Sequence, residues 1–292
     1  MQTHKRVLTS LFELVRLPNI FTAPPDVMMG LTVSGAALTS SAATLLLASA
    51  CAYAGGMALN DACDATLDAR ERPERPIPSG RITRAGAFTV AGLLLALCLG
   101  LAAASGLRPF LVALGLVVAI VVYDAVAKRT AVGPAVMASC RALNAGLGIA
   151  LGALAWPAVG AVAILFAYVL ILTLVSRFEV MTAPVTLVRA AASGFAALLA
   201  IAVALFVLGW GPGGLTGLVF LALLAAWLGP PVRDAIADPA PRRIIGVIKA
   251  AVLGIILLDA AFTSASSGLV SGALVAACFV PAYVLGRRFA SA

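Results

Sequence analysis

Three aspartates share a spacing that can hold a metal ion. Asp61, Asp64 and Asp68 recur at helical intervals, and at about 100° per residue these intervals place them on one helical face. Carboxylates on one face repel each other unless a cation lies between them. Mg²⁺ takes carboxylate oxygens together with substrate phosphates, so the run predicts a magnesium site. The alternative is a solvated acidic loop laced with ion pairs.

Two arginines follow the aspartates closely. Arg72 and Arg75 carry guanidinium groups, which bind phosphate oxygens through two parallel hydrogen bonds. The aspartates begin inside an apolar segment, and the arginines come after it. Carboxylates followed by arginines at a membrane face therefore predict a Mg²⁺–diphosphate site.

Membrane-spanning helices must position these residues. Hydrophobic residues make up 62% of the 292 positions and charged residues 11%, against about 45–50% and about 25% in soluble domains. We predict an all-α fold, a polytopic transmembrane bundle of nine or ten helices around a central cavity, with residues 1–292 forming a single domain. A bilayer span needs about 20 apolar residues, and the ten predicted spans are 18–38, 42–62, 85–105, 109–126, 133–153, 157–177, 187–209, 213–229, 244–263 and 268–286.

Some boundaries of this bundle are open. Pro24 and Pro25 interrupt the first span and Pro281 interrupts the last, which leaves nine spans as an alternative. The longest polar stretches, 63–84 and 230–243, are expected to be loops.

The basic residues orient the chain. With the N-terminus inside, all of the 20 lysines and arginines except Arg108 and Arg141 lie in or beside cytoplasmic segments. This is a strong positive-inside signal. The net charge of +8 is then explained by topology and by contact with anionic membrane lipids, and no nucleic-acid partner is expected. We predict an integral protein of a bacterial inner membrane with its polar site facing the cytoplasm.

Two further polar positions lie near or inside apolar helices. Arg141 lies about 12 Å into its predicted helix at 1.5 Å per residue, and a charge there costs roughly 2.5–3.5 kcal/mol by insertion scales. It must face a polar cavity or pair with an acidic residue, and Asn144 shares its face. Lys128 follows Asp124 by four residues, which fits either a local helix pair or a site residue.

The same segments resemble a known family, the UbiA-type intramembrane prenyltransferases. The resemblance rests on Asn60-Asp61-x-x-Asp64-x-x-x-Asp68, followed by Arg75-Pro76-Ile77-Pro78-Ser79-Gly80-Arg81-Ile82-Thr83. It extends to Arg16-Leu17-Pro18-Asn19, to Tyr123 through Lys128 and Arg129, and to Arg141-x-x-Asn144. The family implies Mg²⁺-dependent transfer of a prenyl group from an isoprenyl diphosphate to an aromatic or other lipophilic acceptor.

The resemblance also implies roles for particular residues. Asp61, Asp64 and Asp68 would hold Mg²⁺, and Tyr123 and Lys128 would contact the diphosphate or the allylic group. Asn19 is either a helix-start residue or a site residue. The remaining substrate-binding residues implied are Asn60, Arg72, Arg75, Arg141 and Asn144.

One region departs from the family pattern. A second aspartate-rich motif is expected after the sixth span, but Thr173-Leu174-Val175-Ser176-Arg177-Phe178-Glu179 contains no aspartate. We predict that Ser176, Arg177 and Glu179 bind substrate and that Arg177 replaces a second metal ion. This variant and the run 249–260 resemble the EboC-like branch. The alternative function is a non-catalytic transporter or lipid-binding protein on the same scaffold.

Overall fold

The computed structural model describes the backbone of residues 2–289 and the side chains of residues 8–287. Lys5, Arg6 and Arg288, which enter the charge argument, lie outside the described side chains. Every regular element in this part of the chain is helical, which confirms the all-α prediction. The α-helices are α1 (Gln2–Leu14), α2 (Leu17–Ile20), α3 (Ala23–Val33), α4 (Ser40–Glu71), α5 (Arg84–Ala104), α6 (Leu107–Ala125), α7 (Gly133–Ile149), α8 (Trp156–Ser176), α9 (Val185–Val207), α10 (Gly214–Ala237), α11 (Pro241–Ser267), α12 (Leu269–Ala276) and α13 (Phe279–Phe289).

Eight helical segments of the described chain are long and apolar enough to cross a membrane. They are α4, α5, α6, α8, α9, α10, α11 and the segment Leu269–Arg287 that contains α12 and most of α13. The predicted span 133–153 corresponds to the shorter α7, of 17 residues. The chain is therefore a polytopic integral membrane protein, as predicted.

Prolines divide the first and last predicted spans. The span 18–38 separates into α2 and α3, and each of these helices has proline in its first turn, where the missing N–H is not needed. In the span 268–286, Pro281 cannot donate to the Ala277 carbonyl. That carbonyl accepts a hydrogen bond from the Val280 N–H at 3.2 Å instead, so α12 and α13 are separate helices.

Both long polar stretches contain extensions of the flanking helices, which corrects the prediction that 63–84 and 230–243 are loops throughout. α4 continues to Glu71 and α10 continues through Pro230 and Pro231 to Ala237. The last turns of α4 carry buried polar positions, Asp61 and Asp68, whose partners come from elsewhere in the chain. Polarity in this segment therefore reflects tertiary contacts, and the remaining connections are only 72–83 and 238–240.

Close backbone contact joins α3 to α7. A Cβ atom at Gly30 would overlap the Ala145 carbonyl, and one at Gly148 would overlap the Val27 carbonyl. Small residues at helix interfaces permit this approach in membrane proteins. The contact sets Asp26 of α3 beside the polar residues of α7.

Large apolar side chains are exposed along the outer helix faces, such as Leu97 of α5, Val118 of α6 and Val207 of α9. In a bilayer these faces meet lipid tails, so their exposure agrees with a membrane environment. The inner faces form two main apolar clusters, one among α3 to α7 and one among α3 and α7 to α12. A cavity of about 80 Å³ lies between α3, α4, α6 and α7.

Candidate functional site

The last turns of α4 carry the three predicted aspartates, and each is paired with basic residues. Asp68 accepts a hydrogen bond from Arg75 at 2.7 Å. Asp61 lies 3.4 Å from the same guanidinium and 3.3 Å from Arg16. The helical spacing read from the sequence therefore places Asp61 and Asp68 beside one arginine.

Asp64 faces a different set of partners. Lys128 Nζ lies 2.6 Å from one Asp64 oxygen and 4.0 Å from Asp124. Arg129 lies 3.2 Å from the other Asp64 oxygen. Lys128 is thus more than the local helix partner of Asp124, because its closer contact joins the end of α6 to α4.

A short turn carries Lys128 into this position. Residues Ala127–Arg129 form a single 3₁₀ turn between α6 and α7. Gly133 follows it, and a Cβ there would lie 2.7 Å from the Ala127 carbonyl oxygen. The absence of a side chain lets the chain fold back tightly, so that Lys128 and Arg129 point toward α4.

The loop 72–83 brings Arg75 close to the aspartates at the end of α4. Gly80 has a φ of +74°, a left-handed conformation that glycine adopts readily. Arg81 ties the loop to α1 through Glu13 at 2.5 Å and bonds the Glu74 carbonyl at 2.6 Å. The loop is thereby held over the end of α4, with Arg75 directed at the aspartates.

The altered second motif also reaches this region. Glu179 accepts a hydrogen bond from Arg72 at 2.8 Å, and Arg177 donates to the Thr130 carbonyl. Burial opposes the charge on Arg72, but the Glu179 carboxylate outweighs it and raises the pKa of Arg72. Ser176 donates to the Thr173 carbonyl at 2.9 Å, so its hydroxyl is used within α8.

We call these groups the polar cluster. It contains the predicted site residues that meet at the end of α4, together with three basic or acidic residues that bind them. Its members are Asn60, Asp61, Asp64, Asp68, Arg72, Arg75, Lys128, Arg177 and Glu179, with Arg16, Asp124 and Arg129.

The cavity adjoins the polar cluster. Its wall contains Tyr123 and Asp124 at the end of α6, next to Lys128 in the chain, and otherwise mainly apolar residues of α4, α6 and α7. Asn60 donates to Asp124 at 2.8 Å, which links the cavity wall to the last turns of α4. A charged group in the cluster and an apolar chain in the cavity can therefore belong to one molecule.

Arg141 and Asn144 line the same cavity but have internal partners. Arg141 bonds the Thr22 carbonyl at 2.8 Å and Asp26 at 3.0 Å, and its guanidinium lies over Tyr53 at 5.5 Å. Asn144 donates to Asp26 at 2.7 Å and to the Ala23 carbonyl at 2.8 Å. The structural ion pair is thus realised, and a direct role in substrate binding stays a prediction.

Asn19 lies in α2, in the connection to α3. Its carbonyl accepts hydrogen bonds from the Thr22 hydroxyl at 2.7 Å and from the Thr22 N–H at 3.0 Å. Thr22 in turn contacts Arg141. These contacts use only the backbone carbonyl of Asn19, so the helix-start and site interpretations of its side chain both stay predictions.

The oxygen donors of the polar cluster suit a hard cation. Asp64 and Asp68 lie one turn apart, and both belong to the end of α4. Within the described residues, no group of three or more His, Cys, Asp or Glu side chains is close enough to hold a metal ion. Mg²⁺ bound mainly by substrate phosphates needs only one or two carboxylates. The donor set fits such a shared site and does not fit a metal cage made of protein alone.

Sequence reasoning missed several members of this region. Asp26 was left without a role and Asp124 was considered only as a local helix partner of Lys128, although each is buried and accepts hydrogen bonds from predicted site residues. Arg16 was noted only within a motif. It has a φ of +48°, uncommon for a residue other than glycine, and this conformation accompanies its contact with Asp61. A carboxylate next to Tyr123 at the end of an apolar span was the available signal for Asp124.

Comparison with known sequences identifies one family. The profile of the UbiA prenyltransferase family matches residues 23–235. This match covers more than half of the chain and includes the aspartates of α4, Lys128 and the altered second motif.

Curated relatives match over shorter stretches. A digeranylgeranylglyceryl phosphate synthase of Methanothrix thermoacetophila is 42% identical over 93 residues, which is 31% of this chain and 35% of the relative. The enzyme of the same name from Metallosphaera sedula is 34% identical over 135 residues, 45% of this chain and 48% of the relative. The chain thus spans about a third to a half of the length of these relatives.

Solved structures match over nearly the whole chain. A UbiA homolog from Archaeoglobus fulgidus bound to DMAPP and Mg²⁺ has a TM-score of 0.64 at 19% identity, covering 92% of this chain and 99% of its own. A UbiA homolog from Aeropyrum pernix K1 has a TM-score of 0.67 at 17% identity, covering 83% and 96%. At these identities the likeness establishes a shared fold.

Proposed function

The chain belongs to the UbiA prenyltransferase family, and from that membership we propose that it transfers a prenyl group from an isoprenyl diphosphate to a lipophilic acceptor within the membrane. The observation that carries the proposal is the polar cluster, which combines aspartates with arginines and a lysine and adjoins an apolar cavity. The family prediction is confirmed, and the EboC-like branch stays a prediction.

The diphosphate would bind in the polar cluster. Arg72, Arg75, Lys128 and Arg177 are now paired with carboxylates or a carbonyl. These pairs can exchange for phosphate oxygens, which guanidinium groups bind strongly. The positive charge is thus already in place where the leaving group develops negative charge.

Asp64 and Asp68, with Asp61 nearby, would hold Mg²⁺ together with the diphosphate. Bound there, the ion neutralises charge on the leaving diphosphate. Mg²⁺ is also the ion named with DMAPP in the Archaeoglobus fulgidus structure. Release of Asp64 from Lys128 would free both groups, the carboxylate for the metal and the ammonium for phosphate.

The prenyl chain would occupy the cavity. Tyr123 lies in its wall, and the face of a tyrosine ring attracts a cation. This places an aromatic ring where an allylic cation would form, while the apolar walls exclude water that would otherwise capture it. Arg141 and Asn144 would shape the far wall through their bonds to Asp26.

The class of acceptor follows from the apolar surroundings. A lipophilic molecule can reach the cavity from the bilayer, whereas a polar one would have to leave water. We predicted an aromatic acceptor, but the curated relatives are named as digeranylgeranylglyceryl phosphate synthases. That name makes a glyceryl phosphate lipid the second acceptor class to be tested.

The altered second motif favours one alternative, which is binding without transfer. Glu179 is the carboxylate there, and it is already paired with Arg72. A chain that binds isoprenyl diphosphate but does not cleave it would act as a carrier or lipid-binding protein. The assay below separates the two functions because only the enzyme releases diphosphate.

Orientation completes the proposal. The polar cluster lies at the end of the bundle that carries most of the basic residues, while Arg108 lies at the opposite end of α6. By the positive-inside rule the cluster faces the cytoplasm. The host membrane, which we predicted to be a bacterial inner membrane, remains to be identified, since the named relatives are archaeal.

The test uses purified protein in lipid nanodiscs. Labelled isoprenyl diphosphates of several chain lengths are incubated with Mg²⁺ and a panel of aromatic and glyceryl phosphate lipid acceptors. We expect diphosphate release and a prenylated product, both lost on chelation of Mg²⁺. Tight diphosphate binding with neither product would contradict transfer and support the carrier.

A further inference from the structure

Two acidic side chains are buried together outside the polar cluster. Asp26 lies in the first turn of α3 and Asp259 lies in α11, and both residues are fully buried. The Asp259 carboxyl lies within hydrogen-bonding reach of Asp26. In the proposed prenyl transfer Asp26 only positions Arg141 and Asn144, and Asp259 has no role.

Asp26 has the surroundings of a charged carboxylate. Its Oδ2 atom accepts hydrogen bonds from Arg141 at 3.0 Å and from Asn144 at 2.7 Å. Its position in the first turn of α3 adds the favourable field of a helix N-terminus. Its other oxygen, Oδ1, receives no hydrogen bond from any described residue.

Asp259 has no such support. Neither of its oxygens accepts a hydrogen bond from a donor in the described part of the chain. The charged or titratable groups that face it are Asp26 on α3, Arg141 on α7, Tyr168 on α8 and Cys278 after α12. Of these, the Tyr168 hydroxyl donates a hydrogen bond to the Ala251 carbonyl at 3.0 Å.

The charges of this group do not balance if both aspartates are ionised. Two carboxylates and the single guanidinium of Arg141 leave one negative charge without a partner, which is strongly unfavourable in a buried site. Two carboxyl groups that share one site avoid this by retaining a proton on one of them. A carboxyl–carboxyl hydrogen bond also requires that one partner be protonated.

We propose that the Asp259 carboxyl is protonated and donates a hydrogen bond to Asp26 Oδ1. The pair then forms a proton-binding site between α3, α7 and α11. The proton removes the excess negative charge and gives the unpaired Asp26 oxygen a donor. Thr263 lies one turn after Asp259 on the same side of α11, and its hydroxyl is buried without a partner. Thr263 forms no hydrogen bond with Asp259, so the remaining Asp259 oxygen has no donor among the described residues.

The site has a structural consequence for the cavity. Arg141 and Asn144 bind Asp26 and also line the cavity wall. The proton on Asp259 thereby keeps α11 bound to the same carboxylate that positions both of these residues. Loss of the proton would set two negative charges against each other across α3 and α11.

Infrared spectroscopy of the full chain in nanodiscs tests the site directly. At neutral pH we expect a carbonyl-stretch band of a protonated carboxylic acid that shifts in D₂O and disappears in Asp259→Asn. Asp234→Asn is the matched control, since Asp234 is partly exposed at the end of α10, and the band should persist there. Absence of the band in the folded wild type would overturn the proposal.

Stability against pH gives a second measurement that does not depend on catalysis. A proton held on Asp259 in the folded state and released on unfolding makes this group's contribution to the free energy of unfolding fall as pH rises. The fall begins near the unfolded pKa of aspartate, about 3.9, and ends where the folded site loses its proton. We expect this fall to be smaller in Asp259→Asn, whose amide can donate to Asp26 without a titrating proton. An equal slope in both proteins, or stabilisation of the wild type by Na⁺ that Asp259→Asn abolishes, would overturn the proton assignment.

Discussion

The end of α4 and the turn after α8 occupy neighbouring positions but differ in charge. The first carries three aspartates that are matched by Arg75, Lys128, Arg16 and Arg129. The second carries one glutamate, and Arg177 is bound only to a carbonyl within the described contacts. The first region is thus rich in metal ligands, whereas the second offers permanent positive charge.

This difference suggests how one site can bind a diphosphate with unequal halves. A carboxylate group needs a metal ion before it can approach phosphate, while a guanidinium group binds phosphate directly. The α4 side would then act through Mg²⁺ and the α8 side through Arg177. The comparison predicts unequal responses to mutation in the two regions.

The first prediction is that both regions lie on one face of the membrane. Ser79→Cys in the loop after α4 and Val180→Cys after α8 should react with an impermeant thiol reagent from the same side. Ser105→Cys, between α5 and α6, should react only from the other side, an all-or-none difference. The native cysteines are first replaced, and the parent without them is the control. Labelling of Ser79→Cys and Ser105→Cys from one side would break the arrangement.

The second prediction concerns the α4 region. Asp64→Ala and Asp68→Ala should each lower Mg²⁺-dependent diphosphate affinity by about 100-fold or more, since even indirect partners of a metal are worth about 10–100-fold. Calorimetric titration measures this, with circular dichroism to verify the fold. Asp234→Ala is the control. Unchanged binding in both variants would mean that the aspartates form a solvated, ion-paired segment.

The third prediction concerns Arg177. Removing one charge-assisted hydrogen bond costs about 1.5–3 kcal/mol, so Arg177→Ala should weaken diphosphate binding about 10- to 100-fold at every Mg²⁺ concentration. Arg177→Lys should recover only part of the affinity, because lysine keeps the charge but loses the planar fork. Arg233→Ala, a change at an exposed position on α10, should have no effect. Equal affinity in wild type and Arg177→Ala would remove the distinction between the two regions.

The smallest effect is expected at Glu179. Its carboxylate pairs with Arg72 at 2.8 Å, and both side chains are partly exposed, where ion pairs contribute about 0–1 kcal/mol. Glu179→Ala should therefore change diphosphate affinity by less than about fivefold, and Glu179→Gln by less still. A loss as large as that of Asp68→Ala would show that Glu179 holds a metal ion.

The sequence predicted the parts of the site that depend on local spacing. The helical intervals of Asp61, Asp64 and Asp68 anticipated their directions from α4, because helix geometry sets these, whereas Arg75 reaches Asp68 from the loop 72–83. The apolar runs anticipated most spans because a helix needs about 20 apolar residues to cross the bilayer. The departure from the family pattern after α8 was also visible in the sequence, because residues 173–179 contain no aspartate.

Long-range pairing could not be predicted in the same way. Arg141 in mid-helix required a partner or a cavity, but its spacing could not select Asp26, which lies 115 positions away in the chain. Likewise nothing local joins Asn60 to Asp124 or Asp26 to Asp259. These contacts depend on helix packing, such as the close approach of α3 and α7 at Gly30 and Gly148.

The continuation of α4 and α10 shows a second limit. Hydropathy ended both helices early, since polar residues and prolines follow the apolar runs. In the structure, Asp61 and Asp68 in the last turns of α4 are buried and form ion pairs with Arg75. α10 continues through Pro230 and Pro231. Composition locates a membrane span, but contacts with other segments determine where its helix ends.

The ratio of Mg²⁺ to diphosphate tests the unequal site most directly. Diphosphate affinity of the wild type is measured across a range of Mg²⁺ concentrations, with Arg177→Ala measured in parallel. We expect uptake of a single Mg²⁺ per diphosphate in the wild type and weaker binding of the variant at every Mg²⁺ level. Cooperative uptake of two Mg²⁺ ions, with no effect of Arg177→Ala, would contradict it.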